Sequence, residues 1–164
     1  SIGPLTQLLV RQLSGVLERG DSFMEVDIFM NKCRPLLAEF IMIDTSRSHY
    51  LGTDLLPPLI SKISSQLCPL MRLNTESGQY DLVACPISFE AAKESFLDEF
   101  DTVIANRGRV IQTILVSHVL MGREAAELAT ALSLKFDQVS VTVQELPPLS
   151  SWYLGNRGIS IAFL

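Results

Sequence analysis

Paired cysteines are missing from this chain. Its three, Cys33, Cys68 and Cys85, are an odd number at long spacings with no C-x-x-C. That argues against a disulfide framework or a zinc site and favours a reducing, cytoplasmic compartment. They read as small buried hydrophobes. Basic charge is also scarce: 13 Lys and Arg against 18 Asp and Glu leave a net charge of −5. Arg107 and Arg109 are a pair, not a stripe, so the electrostatic footprint of a nucleic-acid binder is absent. No apolar run reaches the roughly 18 residues of a membrane span. The greasiest stretch, Leu36 to Ile43, is broken by Glu39, and no membrane partner is expected. No secretory signal, internal repeat or low-complexity segment is evident; the opening Ser1-Ile2-Gly3-Pro4 reads as a processed or excised end.

What is present is apolar substance. Of 164 residues, 48% are apolar and only 19% charged, which is ample for one core and leaves apolar surface for another subunit. Apolar residues recur at helical spacing from Leu5 to Leu17, and Gly20 supplies a stop. Ser22 is placed to cap a second helix running from Met24 to Ile43, with Pro35 kinking or restarting it. The segment from Asp54 to Leu73 fits either a helix opening on Pro57-Pro58 or an irregular strand.

Asn74 to Gly78 is a turn signal, and Tyr80 to Ile87 reads as a strand that Pro86 confines to an edge or an end. Helical spacing returns from Phe96 to Leu115 and again over 122–134. Val139, Val141 and Val143 alternate with polar residues, as expected of an antiparallel sheet with one covered face, and Gly158 to Leu164 alternates likewise. These elements predict an α+β fold: an N-terminal helical segment over 1–57, then a four-stranded antiparallel sheet with two helices on one face over 58–164.

From about Pro58 onward the chain resembles dihydroneopterin aldolase, a tunnelling-fold family of folate synthesis. The likeness rests on Ser95 to Val103, on the run Ser117-His118-Val119-Leu120-Met121-Gly122-Arg123-Glu124-Ala125-Ala126-Glu127, and on Val139 to Leu146. The second of these is similar to the family's G-H-x-x-L-x-E-x-x-A-E segment. The resemblance implies a pterin or another flat heterocycle as ligand, bound near Glu76, His118 and Glu124. It also implies that the chain closes its sheet by homo-oligomerisation or by docking another protein.

Three departures bear on catalysis. The family's anchoring Glu falls on Arg123, with Glu124 one residue late, about 100° around a helix. Its lysine falls on Glu145, and its active-site Tyr on Phe100. The resemblance therefore implies a diverged binding or assembly module, in which Arg123 and Glu145 pair in the old site. An active pterin lyase is the alternative, a cobalamin-type ligand sensor the third. No cofactor or metal is called for, and whether the chain is an enzyme stays open.

Other motifs carry less. His118 has no Asp or Cys at partner spacing and reads as structural more often than functional. Asp44-Thr45-Ser46-Arg47-Ser48 matches the D-x-S-x-S of adhesion-type metal sites, but a helical pattern precedes it where a strand is needed. Trp152-Tyr153 beside Gly155 and Gly158 fits equally a stacking platform and a hairpin folded on a sheet edge.

Overall fold

A computed structural model describes residues 3–20, 22–33, 36–45, 67–107, 111–147 and 154–164. The chain opens with α1 (Pro4–Glu18), which begins on a proline in its first turn and ends where Gly20, at φ 76, turns the backbone left-handed. The second helix, α2 (Phe23–Cys33), starts from a reciprocal cap. The Ser22 N–H donates to Glu25 Oε2 at 2.7 Å, and the Glu25 N–H donates to Ser22 Oγ at 3.4 Å.

Four further segments follow: β1 (Ala38–Ile43), β2 (Leu70–Leu73), β3 (Tyr80–Ala84) and α3 (Phe89–Arg107). The chain closes with β4 (Thr113–Val119), α4 (Gly122–Lys135), β5 (Ser140–Glu145) and β6 (Gly158–Phe163). The expected hairpin around Asn74–Gly78 is present, as β2 and β3.

The fold is α+β, but its sheet has six strands in the order β3-β2-β1-β6-β4-β5 rather than four antiparallel ones. Strands β4 and β5 run parallel, joined across α4, and β5 does not pair with β6. The alternation of Val139 to Gln144 thus belongs to a parallel edge strand.

Two expected helices were partly strands. Residues 38–43 form β1 inside the stretch from Met24 to Ile43 whose apolar spacing suggested helix, and β4, residues 113–119, takes over the end of the stretch from Phe96 to Leu115. The physical reason is burial. A strand covered on both faces is apolar at nearly every position, and a continuous apolar run satisfies a period of 3.6 as readily as one of 2. Every residue of β1 and β6 is buried. The anticipated boundary near residue 57 falls outside the described residues, and β1, from the first part of the chain, pairs with β2 and β6 of the second.

Helices α3 and α4 cover one face. Phe96 and Phe100 of α3, and Leu128 and Leu132 of α4, share a core cluster with Phe40, Ile114, Val116, Ile161 and Phe163. Phe100 lies at its centre, with ring centroids 4.7 Å from Phe163, 5.3 Å from Phe96 and 5.4 Å from Phe136. The opposite face carries a smaller cluster of Ile41, Ile43, Met71, Val119, Leu146 and Leu154.

Two substitutions test this packing by urea denaturation. Phe100→Ala is expected to cost about 3–5 kcal/mol, the range for truncating a core aromatic. Gly158→Ala is expected to cost about 1–3 kcal/mol by overpacking, because a Cβ there would lie 2.5 Å from the Leu154 carbonyl oxygen and 3.2 Å from that of Met42.

Candidate functional site

Polar side chains inside a sheet protein mark where something other than packing is served. Among the described residues four are buried: Glu39, Ser117, His118 and Ser160. Alternation along the strands sets Glu39, Ser117 and Ser160 on the face away from α3 and α4, and His118 on the face toward them.

Glu39 is held by two hydroxyls. Tyr80 Oη donates to its Oε2 at 3.0 Å and Ser160 Oγ to its Oε1 at 2.6 Å. Burial pushes its carboxyl above the ordinary range, and the two hydrogen bonds oppose that only in part. Farther along the same face, Gln144 Nε2 donates to Ser117 Oγ at 3.0 Å and also to Gln7 of α1. Arg11 Nη2 reaches Gln144 Oε1 at 3.3 Å. This polar row seats α1 on β4 and β5.

A second cluster gathers where β1 and β4 end and β6 begins. Arg157 donates three ways: Nε to Asp44 Oδ2, Nη1 to the Leu120 carbonyl and Nη2 to Glu124 Oε1, each at 3.1 Å. Leu120, at φ 51, is the one non-glycine residue with positive φ among those described. Its carbonyl thereby turns toward the guanidinium, and an αL leucine is uncommon enough to need such an anchor. The side chains of Arg157, Asp44 and Glu124 are each about one-fifth exposed. The cluster carries two carboxylates against one cation. Nearby, His118 packs its ring edge on the start of α4, where a Cβ on Gly122 would lie 3.4 Å from Cε1. Its Nδ1 is buried without a hydrogen-bond partner among the described residues.

The residues singled out from sequence do not converge on one cavity. Glu76 sits exposed in the β2–β3 turn, where its backbone N–H donates to Asn74 Oδ1 at 3.0 Å. Arg123 is exposed on α4 and faces Glu127 at 3.6 Å, so it does not form the expected pair with Glu145. Glu145 is exposed at the end of β5, its Cα in register with His118. His118 and Glu124 do lie at the same end of the sheet. Phe100, aligned with a catalytic tyrosine by the resemblance, is fully buried in the aromatic core. Trp152, Tyr153 and Ser46 to Tyr50 lie outside the described residues.

Sequence reasoning missed Glu39, Ser160 and Arg157. A glutamate breaking the greasiest run was the available signal for the first. Arg157 becomes legible only once three chain segments meet. Cys68, buried, has its thiol pushed up to about 12 by desolvation and then by Asp44 and Cys85, and serves as packing.

A mixed sheet with α3 and α4 on one face, α4 being the crossover between its parallel strands, defines the architecture. Solved structures share it over nearly the whole chain. A DegV family protein from Eubacterium eligens, loaded with heptadecanoic acid, superposes with a TM-score of 0.81 at 15% identity, over 98% of this chain and 57% of that one. The fatty acid kinase B3 protein of Streptococcus pneumoniae, loaded with linoleic acid, gives 0.77 at 16% identity, over 95% and 54%. A fatty acid binding DegV family protein from Streptococcus agalactiae gives 0.78 at 14%, over 96% and 55%. The chain therefore spans about half the length of these structures, and at such identities the likeness is one of fold. No protein-family model matches the sequence, and no curated protein does.

These neighbours overturn the resemblance to dihydroneopterin aldolase. With it fall the expected pterin or flat-heterocycle ligand, the lyase and folate assignments and the cobalamin alternative. The expected closure of the sheet by homo-oligomerisation or by docking another protein rested on the tunnelling fold and loses its support. The misalignment has a physical origin. A strand, a turn and an amphipathic helix with Ala and Glu on its first turns, as at 117–127, recur in many α/β units because any such helix needs small residues toward the sheet and acids at its N-terminus.

Glu39 gives this face a pH signature. A carboxyl whose pKa is raised by folding contributes stability that is whole below its unfolded pKa, about 4.3, and is lost as pH rises through the folded value. Thermal melts of the native chain should decline across that window, and Glu39→Gln should flatten the decline while keeping both hydroxyl partners. Parallel pH profiles for the two proteins would refute the assignment.

Proposed function

We propose that this chain is a lipid-binding unit that takes a long-chain fatty acid. The observation that carries the reading is the fold overlay on proteins loaded with heptadecanoic and linoleic acid, which extends over almost every residue of the chain. Its chemistry is compatible. The sheet has two separate apolar clusters, and the smaller one borders a polar cluster built on a guanidinium. An acyl chain needs an apolar wall and a polar head contact in that arrangement. Because the matched structures are nearly twice as long, the unit supplies one wall of the site in this proposal, with the remainder contributed by further polypeptide.

No helix among the described residues is long and apolar enough to cross a membrane. A reducing, cytoplasmic location is proposed on the three unpaired cysteines, two of them buried.

The test is organic extraction of the purified full-length protein that carries this unit, followed by mass spectrometry, together with thermal-shift titration against palmitic and oleic acid. A co-purified fatty acid, or a saturable rise in melting temperature, is the expected outcome. An extract free of lipid with no shift for either acid would defeat the proposal. The same titration with a pterin is expected to give no shift.

A further inference from the structure

We infer that Arg157 is the head-group anchor for a long-chain carboxylate, and that Glu124 competes with that carboxylate for the guanidinium. The inference rests on the fatty-acid reading and goes beyond it by assigning the head contact and an internal competitor. Three observations carry it. Arg157 presents a planar fork to two carboxylates, 3.1 Å from each, a geometry that a free carboxylate could share. The fork borders the smaller apolar cluster: Ile43 directly precedes Asp44, Val119 directly precedes Leu120, and Leu154 lies three residues before Arg157. That cluster includes Met71, whose unbranched side chain adjusts to an inserted chain more easily than the interlocked phenylalanines of the main core.

The two carboxylates are not equivalent. Asp44 is also tied through its backbone, its N–H donating to the Arg157 carbonyl at 3.0 Å. Glu124 stands in the first turn of α4, where the unpaired amides of the helix start favour negative charge. On release from Arg157 it keeps that favourable site and gains solvent. Exchange at the Glu124 position therefore leaves the charge on the guanidinium balanced, because one carboxylate replaces another. The local excess of one negative charge, two carboxylates against one cation, then opposes ligand binding until Glu124 swings away. Glu124 is thus a built-in brake on affinity.

The two side chains accordingly predict opposite signs. Oleate affinity is measured by calorimetry on the full-length protein that carries this unit, below the concentration at which oleate forms micelles. Arg157→Gln is expected to weaken binding about tenfold or more, the scale of one charge-assisted hydrogen bond. Arg157→Lys should recover part of the loss. Glu124→Gln is expected to tighten binding a few-fold, a result that a purely structural clamp would not give. Oleyl alcohol, which has the chain without the carboxylate, should bind the native protein and both variants alike, and Glu127→Gln serves as a surface control.

If oleate binds the native chain but neither Arg157→Gln nor Glu124→Gln changes its affinity by more than about twofold, the head lies elsewhere and the anchor is refuted while fatty-acid binding stands. Weakening by both substitutions would make the cluster structural and also refute the anchor. Failure of oleate to bind any form, the native chain included, would remove the fatty-acid reading and the anchor with it. Should Arg157→Gln fail to fold, the sign of the Glu124→Gln effect still decides.

Discussion

The stacking of Phe163 between Phe40 and Phe100 is the contact on which the rest of the molecule depends. Phe163 and Phe40 lie nearly parallel with centroids 6.1 Å apart, joining β6 to β1, and Phe100 meets Phe163 edge-on from α3. Aromatic pairs in these arrangements contribute beyond their buried area. Here they do more, because they fix β6 into the middle of the sheet between β1 and β4. The β6–β1 pairing sets Phe40 opposite Ile161, residues far apart in sequence. The long-range pairings of β6 are thus the slow, non-local part of folding.

With β6 placed, the two ends of the neighbouring strands are brought to one edge. Ile43, Val119 and Gly158 come into register across β1, β6 and β4. The residues just beyond them, Asp44, Leu120 and Arg157, must then share a small space. One guanidinium satisfies the strained Leu120 carbonyl and the two carboxylates together, so a single side chain closes this end of the sheet. The close approach at Gly158, which admits no Cβ beside the Leu154 carbonyl, is part of the same crowding.

The two faces divide the labour. The face under α3 and α4 is aromatic and closely packed. The face toward α1 sets Ser117, Ser160, Ala162 and a buried Glu39, bonded to Tyr80 and Ser160, beside the smaller apolar cluster. A partly satisfied buried carboxyl is costly, and hydroxyls from two other strands lower the cost without removing it. That asymmetry sets a closely packed aromatic core on one face against hydrogen-bonded polar groups on the other.

Local chemistry alone determined the elements whose signals are local. The glycine stop of α1, the Ser22 cap of α2, the Asn74–Gly78 turn and the amphipathic α4 could all be located from the sequence, because each depends on neighbours within about one turn. The central strands β1 and β4 could not, since burial on both faces erases the alternation that distinguishes a strand from a helix. Nor could the parallel pairing of β4 with β5, which is decided by where α4 packs rather than by any residue in β5.

The same division holds at the candidate site. His118 and Glu124 stood out by residue type. Arg157 acquired meaning only when tertiary structure set it between Asp44, 113 positions away, and Glu124, 33 positions away. Sequence could supply the guanidinium and the carboxylates, but only the packed sheet could put them within one hydrogen bond of each other.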